Sequence, residues 1–144
     1  MYEIGNEEVQ ALQRIISKRK LFRYFKNSEC SIFEKNYSKY LSIKHTALAS
    51  SGTAALTAGL VGLKIGPGDE VIVPAHTYMA TAMSVLSVGA IPVIVDIDES
   101  LTINPKALDN ACGPRTRAAI VVHMWGTTCN MNEIMRIAKK KNLF

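Results

Sequence analysis

The sequence predicts an α/β fold: three layers, αβα, around a mostly parallel sheet, preceded by an N-terminal helical arm. Three observations carry this. Short β-branched runs recur at EVIV (70–73), IPVIVDI (91–97) and RAAIVVHM (117–124). Stretches of helical character separate them, which is the pattern of βαβ units. The composition also shifts near residue 46, so the arm is read as 1–45 and the α/β part as 46–144.

In order, residues 7–20 place Val9, Leu12, Ile15 and Ile16 at spacings of three and four, an amphipathic helix. LFRYFKN is a basic, aromatic connection. Ser28 or Glu29 starts a second helix that carries Ile32, Phe33, Tyr37, Tyr40 and Leu41. TALAS (46–50) reads as a short strand ending at Ser51-Gly52-Thr53, and a small-residue helix follows. Lys64 to Asp69 is turn chemistry, with Gly66-Pro67-Gly68 at its centre. EVIV is a strand stopped by Pro74. Thr77–Val88 is a helix, with Gly89 just past its end where a left-handed cap favours glycine. IPVIVDI reads as a buried strand. Asn104 caps a short helix that opens on Pro105 and closes near Cys112. RAAIVVHM is the next strand. Asn130–Lys141 is a helix whose closing lysines, Lys139 to Lys141, complement the macrodipole. Another strand is due after Phe144, so the chain reads as a piece of a longer fold.

At 144 residues, 48% hydrophobic and 20% charged, the chain is of single-domain size and ordinary globular composition. Disorder and a disulfide scaffold are set aside; Cys30, Cys112 and Cys129 are scattered thiols and point to a reducing compartment. The uncharged run Met79–Val95 contains Gly89, Pro92 and several hydroxyls, which argues against a membrane span. The acidic, polar start MYEIGNEEVQ is not a signal peptide, and the expected location is cytoplasmic. The net charge of +5 is uneven: residues 1–45 hold nine Lys/Arg against five Asp/Glu. The excess around Arg14–Lys26 reads as a solvated helix face, with nucleic-acid binding through these residues and Phe22, Tyr24 and Phe25 as an alternative.

The motif with most chemical content is Ser51-Gly52-Thr53-Ala54-Ala55 at a helix start. Free backbone N–H groups and the helix dipole make such an end an anion site, and small side chains leave it open. The bland alternative is an N-cap on a tightly packed helix. Tyr78 follows the EVIV strand, at the carboxyl edge where parallel sheets bind ligands. There it lays a ring on a planar ligand or packs as a core aromatic. Asp96, Asp98 and Glu99 read as a solvated turn. His45, His76 and His123 show no metal-ligand spacing, and His123 reads as a hydrogen-bonded structural residue. Neither G-x-G-x-x-G nor G-x-x-x-x-G-K-[ST] occurs.

Together FEKNYSKYL, SSGTAAL, IGPGDEVIVPAHTYMAT, GAIPVIVDID and GPRTRAAIVVHMWG, in this order, resemble the N-terminal part of the DegT-type sugar aminotransferases. That resemblance covers nearly the whole chain. It implies the large domain of a type I transferase that uses pyridoxal 5'-phosphate (PLP), of the aspartate-aminotransferase-like fold. It implies transfer of an amino group, commonly from glutamate, to a keto-sugar, nucleotide-linked or an octulosonate; LFRYF, DESLT and VHMWG with CNM suggest the latter branch. By motif match, Gly52, Thr53 and Ala54 hold the cofactor phosphate and Tyr78 stacks on its pyridine ring. It also implies a homodimer. The acidic residue and the lysine that such enzymes place on the cofactor match nothing in this stretch, so no catalytic residue is assigned and the isolated chain is expected to be inactive. A non-catalytic binding module that reuses the fold is the alternative.

Overall fold

The computed structural model describes residues 3–144. The chain divides into two compact units, Met1–Leu48 and Ala49–Phe144.

The first unit holds α1 (Asn6–Ser17) and α2 (Glu29–Tyr40). Ser28 caps α2: its Oγ accepts the Ser31 N–H at 3.2 Å. The connection between the helices is ordered by its aromatics, with Phe22 and Tyr24 stacked at 5.4 Å. Glu34 organises the rest of the unit. Its carboxylate accepts from Arg23 at 2.6 Å and from the Leu48 N–H at 2.7 Å, and its carbonyl accepts from Thr46 Oγ1. This corrects the strand expected at 46–50. The segment is irregular: its Leu48 N–H goes to the Glu34 carboxylate of α2 rather than into a ladder, and the Thr46 hydroxyl ties it to the same residue.

The second unit is the α/β part. Its elements are α3 (Gly52–Gly62), β1 (Glu70–Pro74), α4 (Ala80–Ser87), β2 (Ile91–Val95), α5 (Pro105–Ala111), β3 (Thr116–Ala119) and α6 (Met131–Lys141). The three strands are parallel in the order β2-β1-β3. Alternation along β1 divides the core. Val71 and Val73 pack with Leu60 of α3 and Val85 of α4 on one face. Ile72 packs with Leu108 of α5 and Ile134 and Ile137 of α6 on the other. The expected three-layer arrangement is therefore what forms.

Two strands differ from expectation. β2 is only partly buried: Val95 reaches the core, but Ile94 is 65% exposed and Ile91 also faces solvent, because β2 lies at a sheet edge. β3 is four residues long rather than eight. Ile120 still donates to the Ile72 carbonyl at 2.9 Å, but Val122 and His123 turn away into a 3₁₀ turn, Met124–Gly126. Helix α4 starts at Ala80, three residues later than expected; Thr77 Oγ1 bonds Thr81 Oγ1 at 2.8 Å across its first turn.

The caps follow the sequence. Asn104 Oδ1 accepts from Lys106 N at 2.9 Å, ahead of Pro105 at the first helical position. Gly89 has φ +78°, and a Cβ there would lie 3.1 Å from Pro67 Cγ. Gly89→Ala therefore meets both a left-handed backbone and a crowded ring. The expected loss is about 1–2 kcal/mol, read as a lower denaturant midpoint at unchanged slope.

Asp109 joins α5 to α6 through Lys141, 3.2 Å away, with Lys140 at 3.9 Å. The hydrogen bond from Lys141 holds its carboxyl below the ordinary range, and the nearby lysine and arginine charges add to this. A depressed carboxyl contributes stability above its unfolded-state value and loses it as pH falls through the lower folded value. Acidification below about pH 4 should thus weaken this link in wild type, while Asp109→Asn should show a smaller change in melting temperature between pH 7 and pH 3.

Candidate functional site

The site forms at the start of α3. Ser51 caps the helix: its Oγ accepts the Ala54 N–H at 3.1 Å and its carbonyl accepts the Ala55 N–H at 3.0 Å. Two amides of the first turn, Gly52 and Thr53, have no acceptor among the described residues. A Cβ at Gly52 would meet nothing within 4 Å, so the protein's own packing leaves the space in front of this turn open.

A groove of about 760 Å³ opens there. Gly52, Thr53, Thr77 and Tyr78 line it near the helix start, and Leu60 and Leu63 line it further along α3. Its other wall is Ala118, Ile120 and Val122. Polar groups gather at one end and the remainder is apolar. Tyr78 is 78% exposed, so its ring is a free surface rather than a core aromatic.

The sequence-derived residues thus fall into two sets. Gly52, Thr53 and Tyr78 line one groove. Ala54 does not line it, and Ser51 occupies its amide. Sequence reasoning did not single out Thr77 and the alternating Ala118, Ile120 and Val122; the period-two spacing of the last three was the available signal.

The remaining candidates are structural in geometry. His123 Nδ1 accepts the Cys129 N–H at 3.2 Å, which places the ring proton on Nε2 in the neutral form. Cys129 is buried, and its Sγ donates to the Val122 carbonyl at 3.1 Å. Asp98 Oδ1 accepts from both the N–H and the hydroxyl of Ser100, and the hydroxyl chiefly holds its carboxyl below the ordinary range. Among the described residues no cluster of His, Cys, Asp and Glu has metal-binding geometry, and no helix is long and apolar enough to cross a membrane. In the first unit Arg23, within the basic segment, is paired with Glu34 at 2.6 Å.

A parallel sheet between helix layers, with the start of α3 lining a groove that runs beside β3, defines an α/β protein. The family model for the DegT/DnrJ/EryC1/StrS aminotransferases matches residues 2–144, and the chain belongs to that family. GDP-perosamine synthase of Caulobacter vibrioides is 44% identical over 112 residues, covering 77% of this chain and 30% of that protein. The solved aminotransferase from Psychrobacter cryohalolentis superposes with TM-score 0.92 at 33% identity, covering 99% of this chain and 36% of the other. NtdA from Bacillus subtilis, solved with bound cofactor PMP, gives TM-score 0.85 at 34% identity, covering 97% and 33%. The chain spans about a third of the length of the curated relatives it matches.

Proposed function

We propose that this chain forms the phosphate-gripping part of the cofactor site of a PLP-dependent sugar aminotransferase. The observation that carries the reading is the pair of unpartnered amides at Gly52 and Thr53, facing an open groove with Tyr78 on its rim. A phosphate ester fits that end. Two N–H donors, the Thr53 hydroxyl and the positive end of the α3 dipole meet its oxygens. Ala54 does not line the groove and its amide is held by Ser51, so it supports the turn rather than meeting the ligand. The exposed face of Tyr78 suits a planar heteroaromatic ring. When bound, the cofactor supplies an electron sink for amino transfer. The residues of this chain anchor it, orient its ring and exclude water along the apolar wall. No lysine lines the groove, so within residues 1–144 the reading assigns anchoring and no proton transfer.

The activity proposed for the whole enzyme is transfer of an amino group from an amino acid, glutamate in the first instance, to a keto-sugar. The relatives' names, GDP-perosamine synthase and dTDP-sugar transaminases, favour a nucleotide-linked sugar. A homodimer is the assembly proposed, with residues 1–45 as its arm and 46–144 as the first part of the cofactor-binding domain.

Titration of the chain with PMP tests the binding claim. PMP, the aminated form of the cofactor, has no aldehyde, so lysine adducts cannot mimic binding. Trp125 is the single tryptophan and follows directly on Met124, a groove residue, so its fluorescence is a site-local signal. Saturable binding displaced by inorganic phosphate is expected. Absence of binding, or binding indifferent to phosphate, contradicts the reading.

A further inference from the structure

The loop that carries Tyr78 has an anchor outside its own helix. Residues 75–79 connect β1 to α4 and bring Thr77 and Tyr78 to the groove. The Tyr78 ring is exposed, so packing does not decide where it lies. The Ala75 N–H donates to the Val95 carbonyl at 2.9 Å, which fixes the start of the loop against β2. The Thr77 hydroxyl bonds Thr81 of the following helix. Among the described residues, one side chain of the loop reaches further: His76 Nδ1 lies 3.2 Å from the Leu101 carbonyl oxygen. A carbonyl only accepts, so Nδ1 carries the proton and donates it.

The anchor point is itself held in place. Leu101 sits in the turn between β2 and α5. There the Asp98 N–H donates to the Thr102 carbonyl at 3.0 Å and the Leu101 N–H donates to the Asp98 carbonyl at 2.9 Å. Asp98 Oδ1 accepts the Ser100 N–H at 2.9 Å. Behind the turn Thr102 and Ile103 are buried, and Ile103 bridges Ile97 and packs in the same core cluster as Ile72. Leu101 takes a left-handed backbone, φ +59°, a costly conformation for a residue with a side chain that persists where its surroundings over-determine it. Its carbonyl is therefore a fixed acceptor. A donor that reaches it ties the exposed loop to the buried core, two residues before Tyr78.

We propose that His76 is a positioning residue for the cofactor ring. Its Nδ1–H holds the β1–α4 loop on the Leu101 carbonyl, so that the Tyr78 ring is set over the groove before a ligand arrives and little ordering is left to do on binding. This rests on the reading that the groove takes PMP or PLP with Tyr78 against the ring. The phosphate end lies on another element, the first turn of α3, and owes nothing to His76. Loosening the loop therefore weakens the hold on the ring and leaves the grip on phosphate as it was.

Two probes separate these ends: PMP, and inorganic phosphate followed at the Gly52 and Thr53 amides. His76 is only partly buried, so its variants keep the fold. His76→Ala and His76→Leu, the second filling the space without a donor, should each weaken PMP binding about three- to tenfold, the worth of one hydrogen bond. Phosphate affinity should not change. His76→Asn should restore PMP affinity, because its amide N–H can stand where Nδ1–H stands. In a Tyr78→Ala background, His76→Ala should have no further effect on PMP, since the ring that it positions is gone. Equal weakening of both probes, no rescue by asparagine, or an undiminished effect without Tyr78 would each overturn the proposal as a general loss of structure. A parent chain that does not bind PMP sinks the underlying reading, and this proposal with it. A parent that binds PMP and is weakened by Tyr78→Ala, but is indifferent to His76→Ala and His76→Leu, sinks this proposal alone.

Discussion

Thr53→Asp should abolish phosphate-ester binding while the second unit stays folded. The two effects have opposite signs. At the second position of α3 a carboxylate faces the positive end of the helix dipole and stabilises the helix by about 0.3–1 kcal/mol. The same carboxylate stands where the ligand's phosphate should lie, and like charges brought together at a binding surface cost several kcal/mol. The expected loss of affinity for PMP is therefore at least about 100-fold, with an equal or higher melting temperature. Thr53→Ser keeps the hydroxyl and should bind as the parent does. Gly52→Val should separate the same two properties by shape. Its Cβ enters space that the protein leaves open, so the variant folds but obstructs a ligand lying against that turn.

Ile72→Ala should be the most destabilising single truncation in the second unit. Ile72 is fully buried on the central strand, between the neighbours β2 and β3 and under α5 and α6. Truncation removes the transfer energy of three methyl and methylene groups and leaves a cavity that a strand paired on both sides cannot close. The expected cost is about 2–5 kcal/mol, a large share of a typical domain stability of about 5–15 kcal/mol. Chemical denaturation monitored by far-ultraviolet circular dichroism reads this directly. Val9→Ala on α1 is the contrast, because α1 has no buried residue among those described, and it should change the midpoint little.

Much of the fold was legible because the deciding signals are local. Ser28, Asn104 and Asn130 cap the helices that their types and positions indicate. Gly89 takes the left-handed conformation expected after α4. The failures are non-local. Whether TALAS is a strand depends on a partner, and Glu34 of α2 takes the Leu48 N–H that pairing would use. Whether IPVIV is buried depends on its place in the strand order, and an edge exposes half of an apolar run that a centre would hide. RAAIVVHM has strand character throughout, yet the ladder to β1 stops after Ile120 because the chain turns into Met124–Gly126.

The same division holds at the site. Gly52, Thr53 and Tyr78 were legible, since a small-residue helix start and an aromatic after a strand are readable in one dimension. The sharing of amides within the turn was not. Ser51 takes the Ala54 N–H and leaves those of Gly52 and Thr53, a matter of side-chain rotamer rather than residue type. The apolar wall from β3 was likewise hidden, because it belongs to an element far along the chain from the helix it faces.

Amide proton and nitrogen shifts of the ¹⁵N-labelled chain, followed through a titration with PMP, test the account at its centre. The Gly52 and Thr53 amides should move furthest and saturate together, and Ala54 should move less because Ser51 holds it. Shifts confined to other residues, with Gly52 and Thr53 unmoved at saturation, would contradict it.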